Sequence, residues 1–124
     1  MSMRIERANS QLQKALQNIL HLQMNDPRID DFVGVSEVKL SQDFRHCKVK
    51  IAITNGDYKR ADSVIAALKN SEGFIKHKLS QMLDMPYLPK LEFVFDKNLQ
   101  NAMRVEELLK GLNIPPKEEE DEQI

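Results

Sequence analysis

The stretch Ala61–Asp84, ADSVIAALKNSEGFIKHKLSQMLD, decides how the rest of the chain is read. Ala61, Val64, Ile65 and Leu68 recur at three- and four-residue steps and so line one face of a helix. Ile75, Leu79, Met82 and Leu83 repeat the pattern in the second half. Asn70-Ser71-Glu72-Gly73 interrupts the run, which predicts two helices, over residues 58–70 and 72–84, meeting at a tight joint. Ser71 is placed to accept a hydrogen bond from a free N–H at the start of the second helix. Gly73 lacks a Cβ, so a backbone or a phosphate can approach closely. Lys69, Lys76, His77 and Lys78 crowd the joint. A helix start with cations around it suits an anion, because the dipole and the outward N–H groups favour negative charge. The plain alternative is a corner between two helices with solvated lysines, and this stretch alone leaves both open.

Working backward, Asn55-Gly56-Asp57 is a turn, with Asp57 as the expected N-cap of the first of these helices. Before it lies a clean strand. Cys47, Val49, Ile51 and Ile53 point one way, and His46, Lys48 and Lys50 point the other. Cys47 is therefore read as a small buried apolar residue. With Arg45, the two lysines make a basic stripe that is either a binding surface or merely the wet face of a sheet. Ser41-Gln42-Asp43 is turn-like. The preceding strand carries Val33, Val35, Val38 and Leu40, whose alternation changes phase after Val35 and predicts a bulge. Residues 4–24 read as one long helix with the stripe Ile5, Ala8, Leu12, Ala15, Ile19 and Leu22. Arg4, Arg7 and Lys14 lie off that stripe. Pro27 ends the helix, and Arg28 has Asp26, Asp30 or a phosphate as possible partners.

Working forward, Met85-Pro86-Tyr87-Leu88-Pro89 holds an extended connection. Leu91, Phe93 and Phe95 then alternate as a third strand. Asp96-Lys97-Asn98 is a turn, and Leu99, Ala102, Val105, Leu108, Leu109 and Leu112 make a last helix, closed by Gly111 and Pro115-Pro116. The expected architecture is α+β, with helices on one face of a three-stranded sheet in the order α-β-β-α-α-β-α.

The 124 residues suit one domain, residues 1–114, followed by an acidic tail, residues 115–124. In that tail Lys117 stands against Glu118, Glu119, Glu120, Asp121 and Glu122, which gives −4 and predicts disorder. The other 114 residues hold 17 Lys+Arg and 14 Asp+Glu, so the folding part is mildly basic at +3. That balance permits nucleic-acid binding without demonstrating it. The single cysteine excludes an internal disulfide framework and suits a reducing compartment. The N-terminal MSMRIERANSQLQ has no apolar core of the signal-peptide type, and no apolar run reaches membrane-spanning length, so a cytoplasmic protein is expected.

Motifs that carry chemistry are missing. His21, His46 and His77 fall on separate elements without ligand spacing, so no metal is expected. There is no Walker-type loop, no GxGxxG and no GxSxG. Asp26, Asp43 and Asp96 sit at turns, where capping is the common role. A non-enzyme without cofactor is the reading, and a protein-interaction adaptor is its alternative.

Five short pieces, in order, are similar to the ribosome-binding factor A family. They are Asp26-Pro27-Arg28; Ser41-Gln42-Asp43-Phe44 leading to Cys47-Lys48-Val49; Gly73-Phe74-Ile75-Lys76; Pro89-Lys90-Leu91-Glu92-Phe93; and Asp96-Lys97-Asn98. The resemblance runs from about Arg4 to Leu109. It implies a type II KH-like fold in which an Ala-x-Gly kink replaces the GxxG loop that clamps a nucleic-acid backbone in ordinary KH domains. Here the kink reads Ser71-Glu72-Gly73. Glu72 would repel a phosphate at the kink, which shifts the expected contacts to Lys69, Lys76 and Lys78 beside it. Pro86 stands where the family often carries an arginine. The resemblance further implies a monomer that binds the immature small (30S) ribosomal subunit and its 16S rRNA, assists late maturation and 5′-end processing, and supports growth in the cold. Charge and placement nominate Arg4, Arg7, Arg28, Arg45, Lys48, Lys50, Lys69, Lys76 and Lys78 as RNA contacts.

Overall fold

The structure, a computed structural model, describes residues 3–97. The expected last helix and the acidic tail lie outside the described residues. Helix α1 spans Met3–Asn18, and strand β1 spans Val33–Leu40. Strand β2 (His46–Ile53) precedes helices α2 (Ala61–Asn70) and α3 (Glu72–Met82), and strand β3 covers Lys90–Phe95. The sheet order is β1-β2-β3, with β1 antiparallel and β3 parallel to β2. Over the described residues this is the α-β-β-α-α-β part of the type II KH-like order expected from the sequence.

The core lies between one face of the sheet and the three helices. Cys47, Val49, Ile51 and Ile53 alternate inward from β2, and Leu91 and Phe93 do so from β3. They meet Leu12, Leu16, Ile19, Leu20, Val64, Leu68, Ile75 and Leu79. Burying each such side chain contributes roughly 1.5–3 kcal/mol before chain entropy is counted. Burial also pushes the Cys47 thiol up to about 12, so it is an inert packing group. The β1 bulge falls between Val35 and Glu37, as the phase change predicts. It leaves Ser36 outside the ladder, and the Ser36 hydroxyl donates to Asp96 Oδ2 at 2.6 Å, tying β1 to the end of β3.

Four local expectations need correction. The first helix does not stay α-helical to residue 24. It widens into a π-turn over Ile19–Gln23, closed by Met24 N–H donating to the Ile19 carbonyl at 3.0 Å. The wider turn takes Leu22 off the core stripe and leaves it 76% exposed. The segment before α2 opens as a 3₁₀ turn, Tyr58–Arg60, and the Asp57 side chain makes no capping bond. Helix α3 ends at Met82, which is solvent-exposed, and Leu83 is already extended. Ser71 makes no side-chain cap either. Its N–H donates to the Ala67 and Leu68 carbonyls and its own carbonyl receives Ile75 N–H at 2.9 Å, so the backbone runs through the joint as a kink in one helical path.

A polar ladder on α1 and its π-turn seals the outer edge of β1. Asn9, Gln13, Gln17 and His21 recur every four residues and so stack along one line of the helix. Asn9 Oδ1 accepts from Leu40 N–H at 2.8 Å, and Gln13 Nε2 donates to the Val35 carbonyl at 3.2 Å. Gln17 Oε1 accepts from Val35 N–H at 2.7 Å, and His21 Nε2 donates to the Val33 carbonyl at 2.7 Å. An open edge would offer these groups to another chain, and here side chains take them. Replacing Gln17→Leu keeps the bulk and strands the Val35 N–H. Urea denaturation should show a loss of about 1–3 kcal/mol, whereas Lys14→Leu, on a solvent-facing position, should change stability by less than about 0.5 kcal/mol.

Candidate nucleic-acid interface

The nine cations nominated from the sequence fall on separate surfaces. The first surrounds the α2–α3 kink. Lys69 is exposed at the end of α2, and Lys76 and Lys78 are half-buried on α3. Lys78 Nζ lies 5.6 Å from the centroid of the Phe74 ring, four residues earlier on the same helix. Gly73 is exposed and helical, and a Cβ built on it would meet nothing within 4 Å. Among the described residues, then, no close approach requires this glycine. Glu72 is not simply a repulsive charge at the kink. Its Oε2 accepts from the Leu91 N–H at 3.3 Å, on the side of β3 away from β2, and so covers part of the second sheet edge.

The second surface is the sheet face turned away from the three helices. Pairing puts Lys39 opposite Lys48 and Glu37 opposite Lys50, with Glu92 beside Lys48 on the other side. Lys50 Nζ is 3.0 Å from Glu37 Oε1, and that bond raises the lysine's pKa, so its charge is engaged within the sheet. Lys48 and Lys39 have no ion pair among the described residues. Like charges directly opposite one another are unfavourable, so this face is poised to gain from an anion. Lys39 and Lys90 belong with this group, and the sequence reading missed both. Their alternation with buried Val38, Leu40 and Leu91 was the available signal.

The third surface joins the start of α1 to the β1–β2 turn. The Arg4 guanidinium lies 5.5 Å from the centroid of the Phe44 ring. Arg7 sits one turn further along α1, and Arg45 follows Phe44 in the turn; both are exposed. Asp43 shapes that turn by accepting from Ser41 Oγ at 2.6 Å and Arg45 N–H at 3.0 Å. These bonds, the serine's first, hold its carboxyl below the usual range.

Arg28 stands apart from all three. Its Nε and Nη2 donate to the two Asp26 oxygens at 3.1 and 2.9 Å, and its backbone N–H donates to Oδ1 at 2.9 Å. The sequence left Asp26, Asp30 and phosphate open as partners; the structure pairs it with Asp26. Asp30 belongs instead to Arg60, whose Nη2 donates to Oδ1 at 3.0 Å while Nη1 donates to the Arg28 carbonyl at 3.4 Å. Arg60 Nε is 3.7 Å from Asp57, beyond hydrogen-bond reach. Arg60 is therefore a strut between the Pro27 turn and the start of α2.

The family model of ribosome-binding factor A matches residues 4–109. The chain belongs to that family. It is 37% identical to the ribosome-binding factor A of Buchnera aphidicola over 112 residues, covering 90% of this chain and 94% of the relative. The crystal structure of ribosome-binding factor A from Thermus thermophilus superposes with a TM-score of 0.64 at 25% identity, covering 73% of this chain and 93% of that one. A Thermus thermophilus homology model fitted into a cryo-EM map of a 30S complex with ribosome-binding factor A superposes with a TM-score of 0.53 at 27% identity, over 68% of this chain and 87% of that one. No metal-ligating cluster of three His, Cys, Asp or Glu side chains occurs among the described residues, and no described helix is long and apolar enough to cross a membrane.

The aspartates set a pH dependence. The Arg60 hydrogen bond is the main cause that lowers the Asp30 pKa, and the Arg28 side chain does the same for Asp26. A carboxylate whose folded pKa is depressed contributes stability above its unfolded pKa and loses it as pH falls through the folded one. Thermal stability should accordingly fall as pH drops below about 4. In Asp30→Asn the acid decline should be shallower, with stability at neutral pH lower than in the parent, as read by melting temperature across a pH series.

Proposed function

We propose that this chain is a non-catalytic, cytoplasmic ribosome-assembly factor that binds the immature small ribosomal subunit through its rRNA. In that role it assists late maturation and 5′-end rRNA processing and supports growth in the cold. Family membership carries the proposal, since relatives are named for ribosome binding and one is fitted into a 30S complex. The surface chemistry supports it. Lys69, Lys76 and Lys78 flank a kink whose glycine meets no neighbour, and Lys39 and Lys48 face each other unpaired by any described carboxylate. Such cations gain free energy by neutralising phosphates and releasing counterions.

Binding explains the role without turnover. A folded surface of spaced cations holds one rRNA arrangement over another only by its differential affinity for the two. Cations carried on regular elements suit this task because their backbone is already ordered before binding. The protein acts as a monomer in this reading, with the particle supplying further contacts.

Co-sedimentation with immature small subunits across a salt series tests the proposal, with mature large subunits as the control. Selective binding that weakens steeply with salt is expected. Lys76→Glu with Lys78→Glu should lower affinity roughly ten-fold and flatten the logarithmic salt slope by about 0.7–0.9 per lost phosphate contact, with the melting temperature preserved. Salt-insensitive binding that survives RNase treatment would place the protein among protein-interaction adaptors instead.

A further inference from the structure

A groove separate from the kink lies where three segments meet: the start of α1, the β1–β2 turn and the connection from α3 to β3. Arg4, Asp43, Phe44, Arg45, Pro86 and Tyr87 line a volume of about 720 Å³. Tyr87 is 84% exposed, the most open large hydrophobic among the described residues, and the core does not use it. Phe32 and Phe74 are also exposed, though less so, and neither lines the groove; the other tyrosine, Tyr58, packs against Phe95 with ring centroids 5.9 Å apart.

The turn that builds the groove is conformationally costly. Phe44 has φ = 64°, in the left-handed region that disfavours a bulky side chain, and it is the one such non-glycine residue described. Its ring is thereby placed under the Arg4 guanidinium at 5.5 Å. Arg45 comes next, and its backbone is fixed twice: its N–H donates to Asp43 Oδ1 at 3.0 Å and its carbonyl accepts from Lys90 N–H at 2.8 Å. Two guanidinium groups, an aromatic ring open to stacking and an ionised carboxylate thus share one concave site.

We infer that this groove takes a single unpaired nucleotide of a single-stranded RNA, with its base stacked on Tyr87 and its phosphate neutralised by Arg45 and Arg4. The inference rests on the RNA-binding reading above and adds a second contact site to it. Exposed aromatic rings beside arginines hold unstacked bases because every base offers a π-face, and the cations hold the backbone. A bare phosphate would not use Tyr87 and would be repelled by Asp43. A nucleotide uses both, since the Asp43 carboxylate is an acceptor for a base N–H, the exocyclic amino group of adenine or the ring N–H of uracil.

The test titrates the full chain with unstructured decauridylate and decaadenylate, alongside Tyr87→Ala, Tyr87→Phe, Arg45→Gln and the Lys76→Glu, Lys78→Glu pair. The lack of tryptophan makes the two tyrosines the fluorescent reporters. Tyrosine emission should be quenched on binding. Tyr87→Ala should abolish most of that quenching and weaken binding roughly 5- to 100-fold with an unchanged salt slope. Tyr87→Phe should keep the affinity, because stacking uses the ring and not the hydroxyl. Arg45→Gln should weaken binding and flatten the slope.

If Tyr87→Ala binds both oligonucleotides like the parent while the lysine pair weakens them, the groove is not a nucleotide site and the RNA-binding reading stands. If Tyr87→Ala loses small-subunit binding but not oligonucleotide binding, the groove docks protein, and the inference is overturned. If the parent binds neither oligonucleotide and its small-subunit binding survives RNase, the RNA-binding reading fails and the groove inference falls with it.

Discussion

Helix α1 with the π-turn that follows it is the constraint on which the fold depends, because it satisfies β1 in two different ways. Its apolar stripe, Leu12, Ala15, Leu16, Ile19 and Leu20, packs onto the sheet. Its neighbouring polar line, Asn9, Gln13, Gln17 and His21, supplies partners to the backbone along the β1 edge. A three-stranded sheet has two edges for only one interior strand, so edge groups are a large share of its polar backbone. At the other edge Glu72 does a smaller version of the same job for Leu91. The residues of the kink therefore serve the sheet as well as any ligand.

Among the described residues, with both edges engaged and one face packed under helices, the outward surfaces that carry the nominated cations are the kink, the far sheet face and the rim near Arg4 and Arg45. Eight of the nine nominated cations divide among these, with Arg28 apart, and they do not gather into one patch. The internal pairs sharpen the division. Arg28 is held by Asp26, Arg60 by Asp30 and Lys50 by Glu37, while Lys48, Lys69, Lys76 and Arg45 have no ion pair among the described residues.

Periodicity made most of the fold legible. The alternation in β2 placed Cys47, Val49, Ile51 and Ile53 inside, and the phase slip after Val35 located the bulge. Two causes account for the departures. Ideal α-helical spacing puts Leu22 and Met82 in the core, but a π-turn and an early stop change the phase at the helix ends. Residue type alone makes Asp57 and Ser71 caps. The backbone around them found other partners first: the Asp57 N–H donates to Asn55 Oδ1 at 3.1 Å, and Ser71 is bonded through its main chain. The Asn9–His21 ladder was visible as a four-residue repeat, but the strand it would meet was not.

The sequence by itself determined the element order, the inward faces of the strands, the family and the identity of the cations. Local spacing and residue chemistry encode these directly. Only the tertiary structure decided which cations are engaged and which are available, since that depends on carboxylates brought together from distant turns, as Asp30 is to Arg60. It also decided that Tyr87, Arg4 and Arg45 border one groove. Their positions in the chain are far apart, and only the packing of α1, the β1–β2 turn and the connection before β3 brings them together.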